Sequence, residues 1–183
     1  RKAGEVKAII LVDEAYYLYY PYSCAYLIPS CPHLVVTRTF SKAFGLASVR
    51  LGFAIGSQAL IGYLHKTRPM YETNAFAVKY AEFILDHFNL VKRNIAEFKR
   101  GKRFLEQELK KLKIRFLPSF TNFLLIHAGS QQNAAHCVSR LKKKKILVNG
   151  NFGYPLEDYI RANVGNVAQM RTFVKALKVC LDS

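Results

Sequence analysis

The chain has 183 residues and is 51% hydrophobic, so it can bury a sizeable core in one domain or two small ones. Apolar runs such as Ala8 to Val12 are far shorter than the roughly 18 to 20 residues that span a bilayer, and we expect no membrane partner. The formal net charge of +16 suits an anionic partner. No arginine-glycine tract or zinc-finger spacing accompanies that charge, so we interpret it as a solvated basic surface and expect no nucleic-acid partner.

Three short apolar segments in the first third of the chain predict strands of an α/β sheet. Lys7 to Val12 is an apolar run that leads into Asp13 and Glu14, which is typical of a buried strand in a parallel sheet. His33 to Thr37 predicts a second buried strand, and Ser48 to Ile55 a third. Loops at the carboxyl ends of such strands usually carry the functional residues, so the segments after the first two strands are the ones to search.

Three helices are predicted to follow these strands. Helical spacing of apolar residues predicts the first from Ser57 to Thr67, and Pro69 ends it. The second is predicted from Asn74 to Phe88. The third, from Val91 to Leu112, is longer and amphipathic, with apolar residues at steps of three and four.

The last third of the chain alternates shorter strands and helices. Helices are predicted for Gln131 to Lys144 and Val167 to Leu181. Strands are predicted for four segments: Ile114 to Leu117, Asn122 to His127, Ile146 to Val148 and Tyr159 to Val164. This alternation indicates a small α+β unit that the long helix joins to the first part.

The four cysteines show no CxxC pair and no histidine at metal-ligand spacing, so we predict reduced thiols and no metal site. A disulfide between Cys24 and Cys31 is the alternative. No signal-peptide pattern is visible, and only a few residues precede the first predicted strand. We therefore expect a cytoplasmic protein with further sequence upstream.

The segment Thr39 to Leu46 places Lys42 between hydroxyl residues and a glycine, directly after a predicted buried strand. The lysine amine can form an imine with an aldehyde. Thr39, Ser41 and the later Arg50 offer hydrogen-bond donors to a phosphate dianion, which a guanidinium can bind through two bonds. A Ser-Lys pair alone is a weak signal, and a solvent-exposed lysine in a polar loop is its simpler interpretation.

The whole string is more specific. Thr39 to Leu46 (TFSKAFGL), followed by Arg50-Leu51-Gly52, resembles the active-site lysine segment of fold-type I pyridoxal-phosphate enzymes, the class I/II aminotransferases. It is most similar to their histidinol-phosphate branch. The upstream VDEAY, Val12 to Tyr16, resembles a second signature of that family. The resemblance implies that Lys42 forms the Schiff base with pyridoxal 5'-phosphate and that the three donors named above bind its phosphate.

The same resemblance gives Asp13 and Tyr16 roles on the cofactor ring. A carboxylate at the end of a buried strand is costly without a cationic partner, and the protonated ring nitrogen is such a partner for Asp13. Tyr16 is implied to hydrogen-bond the ring's phenolic oxygen. The alternatives are a helix cap or surface carboxylate for Asp13 and a packing aromatic for Tyr16. We interpret Glu14 as structural.

Three later segments extend the resemblance. Arg68 to Asn74 is similar to a family segment whose tyrosine contacts the cofactor phosphate of the partner subunit, which implies that role for Tyr71; a core aromatic is the alternative. Ser119 to Phe123 is similar to a strand that marks the small domain. Tyr159 to Gly165 is similar to the strand whose arginine binds the substrate's anionic group. Arg161 is that candidate, against a structural ion pair.

One position departs from the histidinol-phosphate pattern. In that branch an arginine that helps to hold the substrate phosphate stands where this chain has Asn149. A neutral amide cannot replace a guanidinium for a dianion. We therefore predict that Asn149 lines the substrate site and that the identity of the amino substrate is open.

The resemblance implies an α/β fold that corresponds to the C-terminal part of the fold-type I enzymes. Residues 1–90 are predicted to belong to the mainly parallel, cofactor-binding large domain, 91–112 to a linking helix and 113–183 to a small α+β domain. The implied function is transfer of an amino group between histidinol phosphate, or a related amino acid or phosphate, and a 2-keto acid, in a homodimer. The alternatives are a phospho-amino-acid decarboxylase of the same fold and a non-catalytic basic fragment.

Overall fold

The computed structural model describes residues 2–70 and 72–181. The chain divides into two compact units, Arg1–Lys92 and Arg93–Ser183. The prediction for Tyr71 lies outside the described residues. In the first unit a short helix, α1 (Lys2–Glu5), precedes the sheet.

The first unit is built on a three-stranded sheet of order β1 (Ile10–Asp13), β2 (Leu34–Thr39) and β3 (Gly52–Gly56). β1 and β2 are parallel, with Asp13 opposite Thr37, so their carboxyl ends reach the same edge of the sheet. β3 runs antiparallel to β2 and places Gly52 opposite Thr39. The sheet is therefore mixed, and the predicted parallel order holds for its first pair.

Two details of the predicted strands are wrong. The third strand begins at Gly52 rather than Ser48, because residues Ala47–Val49 form a 3-10 turn and Arg50 takes a left-handed φ of 56°. The first strand is not buried, since Ile9 and Leu11 are each 64% exposed. β1 is the edge strand, and in the part of the chain that the structure describes no strand pairs with its outer edge.

α2 (Gln58–Lys66) and α3 (Ala75–Asp86) each begin after a polar cap. Ser57 Oγ accepts the Leu60 amide at 3.5 Å, and Asn74 Oδ1 accepts the Ala77 amide at 2.8 Å. α4 (Phe88–Lys111) begins at Phe88 rather than at the predicted Val91. Only His87 separates it from α3, so the break is too short to leave a turn signal in the sequence.

The second unit joins the rest of α4 to a two-stranded antiparallel sheet of β4 (Phe123–His127) and β5 (Tyr159–Asn163). α5 (Gln131–Lys143) and α6 (Val167–Leu181) pack on each other and close the core. Its fully buried large aliphatic residues come from all of these elements: Leu105, Leu109, Leu124, Ile126, Leu141, Ile160 and Leu177. The three helices and two of the four strands that the sequence predicts for this part of the chain are confirmed.

Two segments predicted as strands, 114–117 and 146–148, do not form ladders. Each follows a helix end of the same kind. Lys113 takes a left-handed φ of 56°, and the Ile114 amide donates to the Leu109 carbonyl at 2.9 Å; α5 ends in the same way at Lys145. This is the Schellman arrangement, in which the chain leaves the helix abruptly and an apolar residue packs back on it. The segments are apolar because they cover helix ends, and so their composition resembles that of strands.

All four cysteines carry free thiols, and two of them, Cys137 and Cys180, lie in the core of the second unit. Burial, with a smaller contribution from Cys180, raises the pKa of the Cys137 thiol to about 11, so the thiol is protonated at neutral pH. In the described ranges, no helix has the length and apolar character needed to cross a bilayer. The same ranges hold no cluster of three or more metal-ligating side chains.

Candidate active site

The first group of predicted site residues lies where β1 and β2 end. Asp13 is the last residue of β1, and its carboxylate is exposed and accepts the Ala15 amide at 2.9 Å, which closes a tight turn. The turn leads directly to Tyr16. Because β1 and β2 are parallel, this turn and the loop after β2 lie at the same edge of the sheet.

The predicted lysine lies on a closed loop, residues 40–51, between β2 and β3. The Phe40 amide donates to the Leu51 carbonyl at 3.0 Å, and the Leu46 amide donates to the Phe40 carbonyl at 2.9 Å. Within the loop, Gly45 takes a φ of 75° and its amide donates to the Lys42 carbonyl at 3.0 Å. These bonds hold the loop at its base and at its tip.

Buried apolar side chains anchor the same loop. Phe40 and Ala43 are 5% and 7% exposed, and the Phe40 ring lies 4.8 Å from that of Phe44 and 5.6 Å from that of Phe53, measured between centroids. Lys42, between the two buried residues, is exposed. The packing of its neighbours therefore presents the lysine amine to solvent from a rigid support.

Lys42 and Tyr16 come together at this edge. The Lys42 Nζ atom lies 5.8 Å from the centroid of the Tyr16 ring. Within residues 2–70 and 72–181 no carboxylate forms an ion pair with Lys42. Its amine is thus available for chemistry beside a phenol. Burial, and to a smaller extent the neighbouring Tyr16, raises the pKa of Tyr19. The Tyr19 phenol is therefore protonated at neutral pH.

The three predicted phosphate ligands flank Lys42, but two of them are engaged with the backbone. Thr39 Oγ1 donates to the Leu51 carbonyl at 3.3 Å and accepts the Ser41 amide at 3.0 Å. The Arg50 guanidinium donates to the Ala47 carbonyl at 2.9 Å. Arg50 is exposed and lies at the opposite end of the loop from Thr39. The loop thus carries hydroxyl donors at its start and a guanidinium at its end.

A buried ion pair was not predicted from the sequence. Arg38, the penultimate residue of β2, pairs with Glu14 at 3.0 Å, and both side chains are almost completely buried. The signal that could have found it is an arginine within an otherwise apolar strand, which needs an acidic partner. Glu14, directly after β1, is that partner.

A cavity of about 470 Å³ adjoins the turn after β1. Five tyrosines line it, together with Asp13 and Glu14: Tyr16, Tyr17, Tyr20, Tyr22 and Tyr26. Its wall combines aromatic faces with hydroxyl and carboxylate groups, which is the composition of a small-molecule site.

The two predicted substrate residues come together in the second unit. The Arg161 amide donates to the Asn149 carbonyl at 2.7 Å, and the Asn149 amide donates to the Arg161 carbonyl at 3.0 Å. The Arg161 guanidinium lies 5.1 Å from the centroid of the Phe123 ring. Among the described residues no carboxylate pairs with Arg161, so its charge is available to an anionic ligand.

The donor set of the first unit fits a phosphate-bearing pyridine aldehyde. The Lys42 amine has no ionic partner among the described residues, and the Asp13 carboxylate accepts only a turn amide there. An amine for the aldehyde, a carboxylate for a ring nitrogen, a phenol for a ring oxygen and hydroxyl donors for a phosphate are therefore present at one sheet edge.

The chain was compared with protein families of known sequence pattern and with curated relatives. The family described as "Aminotransferase class I and II" matches residues 2–177. The histidinol-phosphate aminotransferase of Symbiobacterium thermophilum is 34% identical over 177 residues, which are 94% of this chain and 48% of that protein. The chain spans about half the length of the curated relatives it matches.

Solved structures share the fold. Histidinol-phosphate aminotransferase from Sinorhizobium meliloti, determined in complex with pyridoxal-5'-phosphate, superposes with a TM-score of 0.84 at 24% identity and covers 96% of this chain and 49% of its own. L-threonine-O-3-phosphate decarboxylase from Porphyromonas gingivalis superposes with a TM-score of 0.81 at 23% identity, covering 98% of this chain and 57% of its own. At these identities the likeness establishes the fold alone.

Proposed function

The chain belongs to the class I and II aminotransferase family and has the fold-type I architecture that the sequence predicted, and from this we propose that it works in pyridoxal-phosphate-dependent transamination. The observation that carries the proposal is the exposed Lys42 amine on a rigid loop beside Tyr16, at the carboxyl ends of two parallel strands. Family membership supports pyridoxal phosphate as the cofactor, and the exposed Lys42 amine is the proposed point of attachment.

Each predicted site residue that the structure describes in the first unit has a role in this proposal. Lys42 holds the cofactor aldehyde covalently through its amine. Asp13 binds the ring nitrogen and keeps it protonated, while Tyr16 donates a hydrogen bond to the phenolic oxygen. The phosphate is bound by the donors on the lysine loop: Thr39, Ser41 and Arg50.

When bound, pyridoxal phosphate supplies an electron sink that stabilises negative charge on the substrate's α-carbon. With the cofactor bound, the Lys42 amine would be the group that accepts the α-proton of the substrate. The loop's tied base and buried Phe40 fix the backbone from which that amine extends.

Substrate recognition is assigned to the second unit. Arg161 binds the anionic group of the amino substrate, and Asn149, bridged to it in the sheet, contacts the same molecule. We propose that the amino substrate is histidinol phosphate or a related amino acid or phosphate and that the acceptor is a 2-keto acid.

We further propose that residues 1–90 act as part of the cofactor domain, 91–112 as the linking helix and 113–183 as the small domain. We also propose a homodimer, because the resemblance assigns to Tyr71 a contact with the partner's cofactor. Light scattering of the full-length protein at several concentrations tests the homodimer, and a monomer at all of them contradicts it.

The proposal is tested by absorbance of the full-length protein with added cofactor. A lysine-bound cofactor absorbs at about 410–430 nm. We expect Lys42→Ala to remove this band, since no other amine replaces Nζ. Lys66→Ala is the matched control: Lys66 Nζ lies 5.3 Å from the centroid of the Tyr63 ring, a similar lysine–tyrosine contact on a helix. The control should keep the band.

Two results contradict the proposal in different ways. If the wild-type protein shows no band, the chain is a non-catalytic basic module. If the band is present but the enzyme releases CO2 without consuming a keto acid, the reaction is decarboxylation of a phospho-amino acid on the same cofactor.

A further inference from the structure

Glu14 is the centre of a compact hydrogen-bond network that is separate from the predicted cofactor ligands. Its Oε1 atom accepts the Cys24 amide at 2.5 Å. Its Oε2 atom accepts the Ser23 hydroxyl at 2.9 Å and Arg38 Nε at 3.0 Å. Arg38 Nη2 also donates to Ser23 Oγ at 2.7 Å. Both ends of the ion pair are thus satisfied several times over.

The Arg38 guanidinium is also covered by an aromatic ring. Its Cζ atom lies 3.5 Å from the centroid of the Tyr17 ring. The side chains of Arg38 and Glu14 are only 13% and 9% exposed. Apolar residues of equal size often stabilise a protein as well as a buried ion pair or better, so stability alone does not account for this pair.

The pair joins the two chain segments that carry the predicted cofactor residues. Glu14 follows Asp13, and its amide extends the β1–β2 ladder by donating to the Thr37 carbonyl at 2.8 Å. Arg38 precedes Thr39, whose loop carries Lys42. A change in the Glu14–Arg38 contact therefore changes the spacing between Asp13 and Lys42.

The hydrogen bonds and the aromatic contact of the Arg38 side chain are with residues other than the predicted cofactor ligands. Successive residues of a strand project to opposite faces, so Arg38 and Thr39 point in different directions. The partners of the pair are Tyr17, Ser23 and Cys24, and none of these is a predicted cofactor ligand. Glu14 and Tyr17 line the same cavity as Asp13 and Tyr16, and the backbone joins the pair directly to Asp13 and Thr39.

We propose that Glu14 and Arg38 are positioning residues for the cofactor, which set the distance between the ring-nitrogen carboxylate of Asp13 and the amine of Lys42. The inference rests on the proposed function. The proposal adds Glu14 and Arg38 to the residues that affect cofactor binding, although neither is assigned a contact with cofactor or substrate. It gives their buried ion pair a role in addition to stability.

The test is a double variant of the full-length holoenzyme, Glu14→Gln with Arg38→Met. The carboxamide keeps an acceptor for the Cys24 amide, and no buried charge is left unpaired, so the fold should be retained. We expect the cofactor dissociation constant to rise by about 10- to 100-fold, which is the loss of affinity seen when a residue that orients a metal-binding group is replaced. The pH at which the visible band changes should also shift, because Asp13 moves relative to the ring.

The matched control removes an exposed ion pair of the same unit. Lys79 and Glu82 pair at 2.7 Å with side chains 79% and 54% exposed. Lys79→Met with Glu82→Gln should leave cofactor affinity and the pH of the band change within about twofold of wild type, since exposed pairs contribute little.

Two outcomes overturn the proposal. One is a folded double variant with wild-type cofactor affinity and band titration, which makes the pair structural only while Lys42 chemistry stands. If the double variant does not fold, Arg38→Lys is measured instead, because lysine keeps the charge but lacks the planar guanidinium that can bind a carboxylate through two bonds. Wild-type cofactor affinity and band titration in that folded variant are the second outcome. Absence of the band in the wild type is instead a failure of the proposed function itself.

Discussion

Asn149 and Arg161 exchange two backbone hydrogen bonds, and residues opposed in this way carry their side chains on the same face of a sheet. A ligand anion held by Arg161 therefore lies within reach of whatever side chain stands at position 149. An amide there can donate hydrogen bonds but contributes no charge. In the proposed function, position 149 is thus the residue expected to set how strongly a second anionic group on the substrate is bound.

This predicts the effect of Asn149→Arg. The added guanidinium can bind a phosphate through two charged hydrogen bonds, so kcat/KM for a phosphate-bearing amino substrate should rise by about 10- to 100-fold relative to the same substrate without phosphate. Steady-state kinetics with both substrates measures this ratio. Asn149→Gln lengthens the side chain without adding charge and should leave the ratio unchanged; an equal rise there would show that reach, not charge, is what matters.

At the residue scale the sequence predicted the loop residues because each belongs to a specific string. Ser41, Lys42 and Arg50 lie on the tied loop, with Arg50 at its far end, and Thr39 ends β2 just before it; their roles at a cofactor stay predictions. Arg38 escaped notice because its role depends on Glu14, 24 positions away. An arginine in a strand indicates that an acidic partner is needed but does not identify it, whereas a loop motif names all of its residues.

At the scale of elements, Gly52 determines how β3 approaches β2. A Cβ atom at this position would lie 2.8 Å from the Arg38 carbonyl oxygen, closer than any real side chain tolerates against backbone. The strand pair that supports the lysine loop therefore depends on the absence of a side chain here.

We expect Gly52→Ala to lower the free energy of unfolding by about 1–3 kcal/mol, because the backbone has to shift to admit the methyl group. Gly62→Ala is its matched control on α2, where nothing lies within 4 Å of the added atom. In a helix interior that change should stabilise by about 0.5–1 kcal/mol. Denaturant unfolding of both variants measures the difference, and equal effects would refute the clash.

Helices were predicted better than strands at this scale, for a physical reason. The caps Ser57 and Asn74 mark their helices directly, since a side chain accepts the first free amide. The segments after Lys113 and Lys145 are apolar because they cover helix ends, and no local pattern separates that purpose from a strand.

At the scale of the whole molecule the two units differ in how completely they bury their apolar surface. The second unit surrounds its core with helices and strands that are all its own. In the first unit the edge strand leaves Ile9 and Leu11 exposed, and Phe76 on α3 is 78% exposed. The sequence could not predict this contrast, because apolar runs look alike whether or not another layer covers them.

The second unit should therefore fold by itself. We expect residues 93–183, expressed alone, to unfold cooperatively in circular dichroism. In that polypeptide Leu124→Ala should cost about 2–5 kcal/mol, because Leu124 is fully buried. Leu147→Ala, at a site 79% exposed, should stay within about 0.5 kcal/mol of the parent. A non-cooperative transition, or equal costs, would show that this unit depends on the first.

The tied loop around Lys42 has a consequence for motion. Its base is closed by backbone bonds, and Phe40 and Ala43 are buried, while the Lys42 side chain is an exposed, flexible four-carbon stem. Rotamer changes of an exposed side chain take picoseconds to nanoseconds, whereas loop movements take nanoseconds to microseconds. Under the proposed function, the Lys42 amine would therefore reach and leave its ligand by rotamer changes, without the slower opening of the loop.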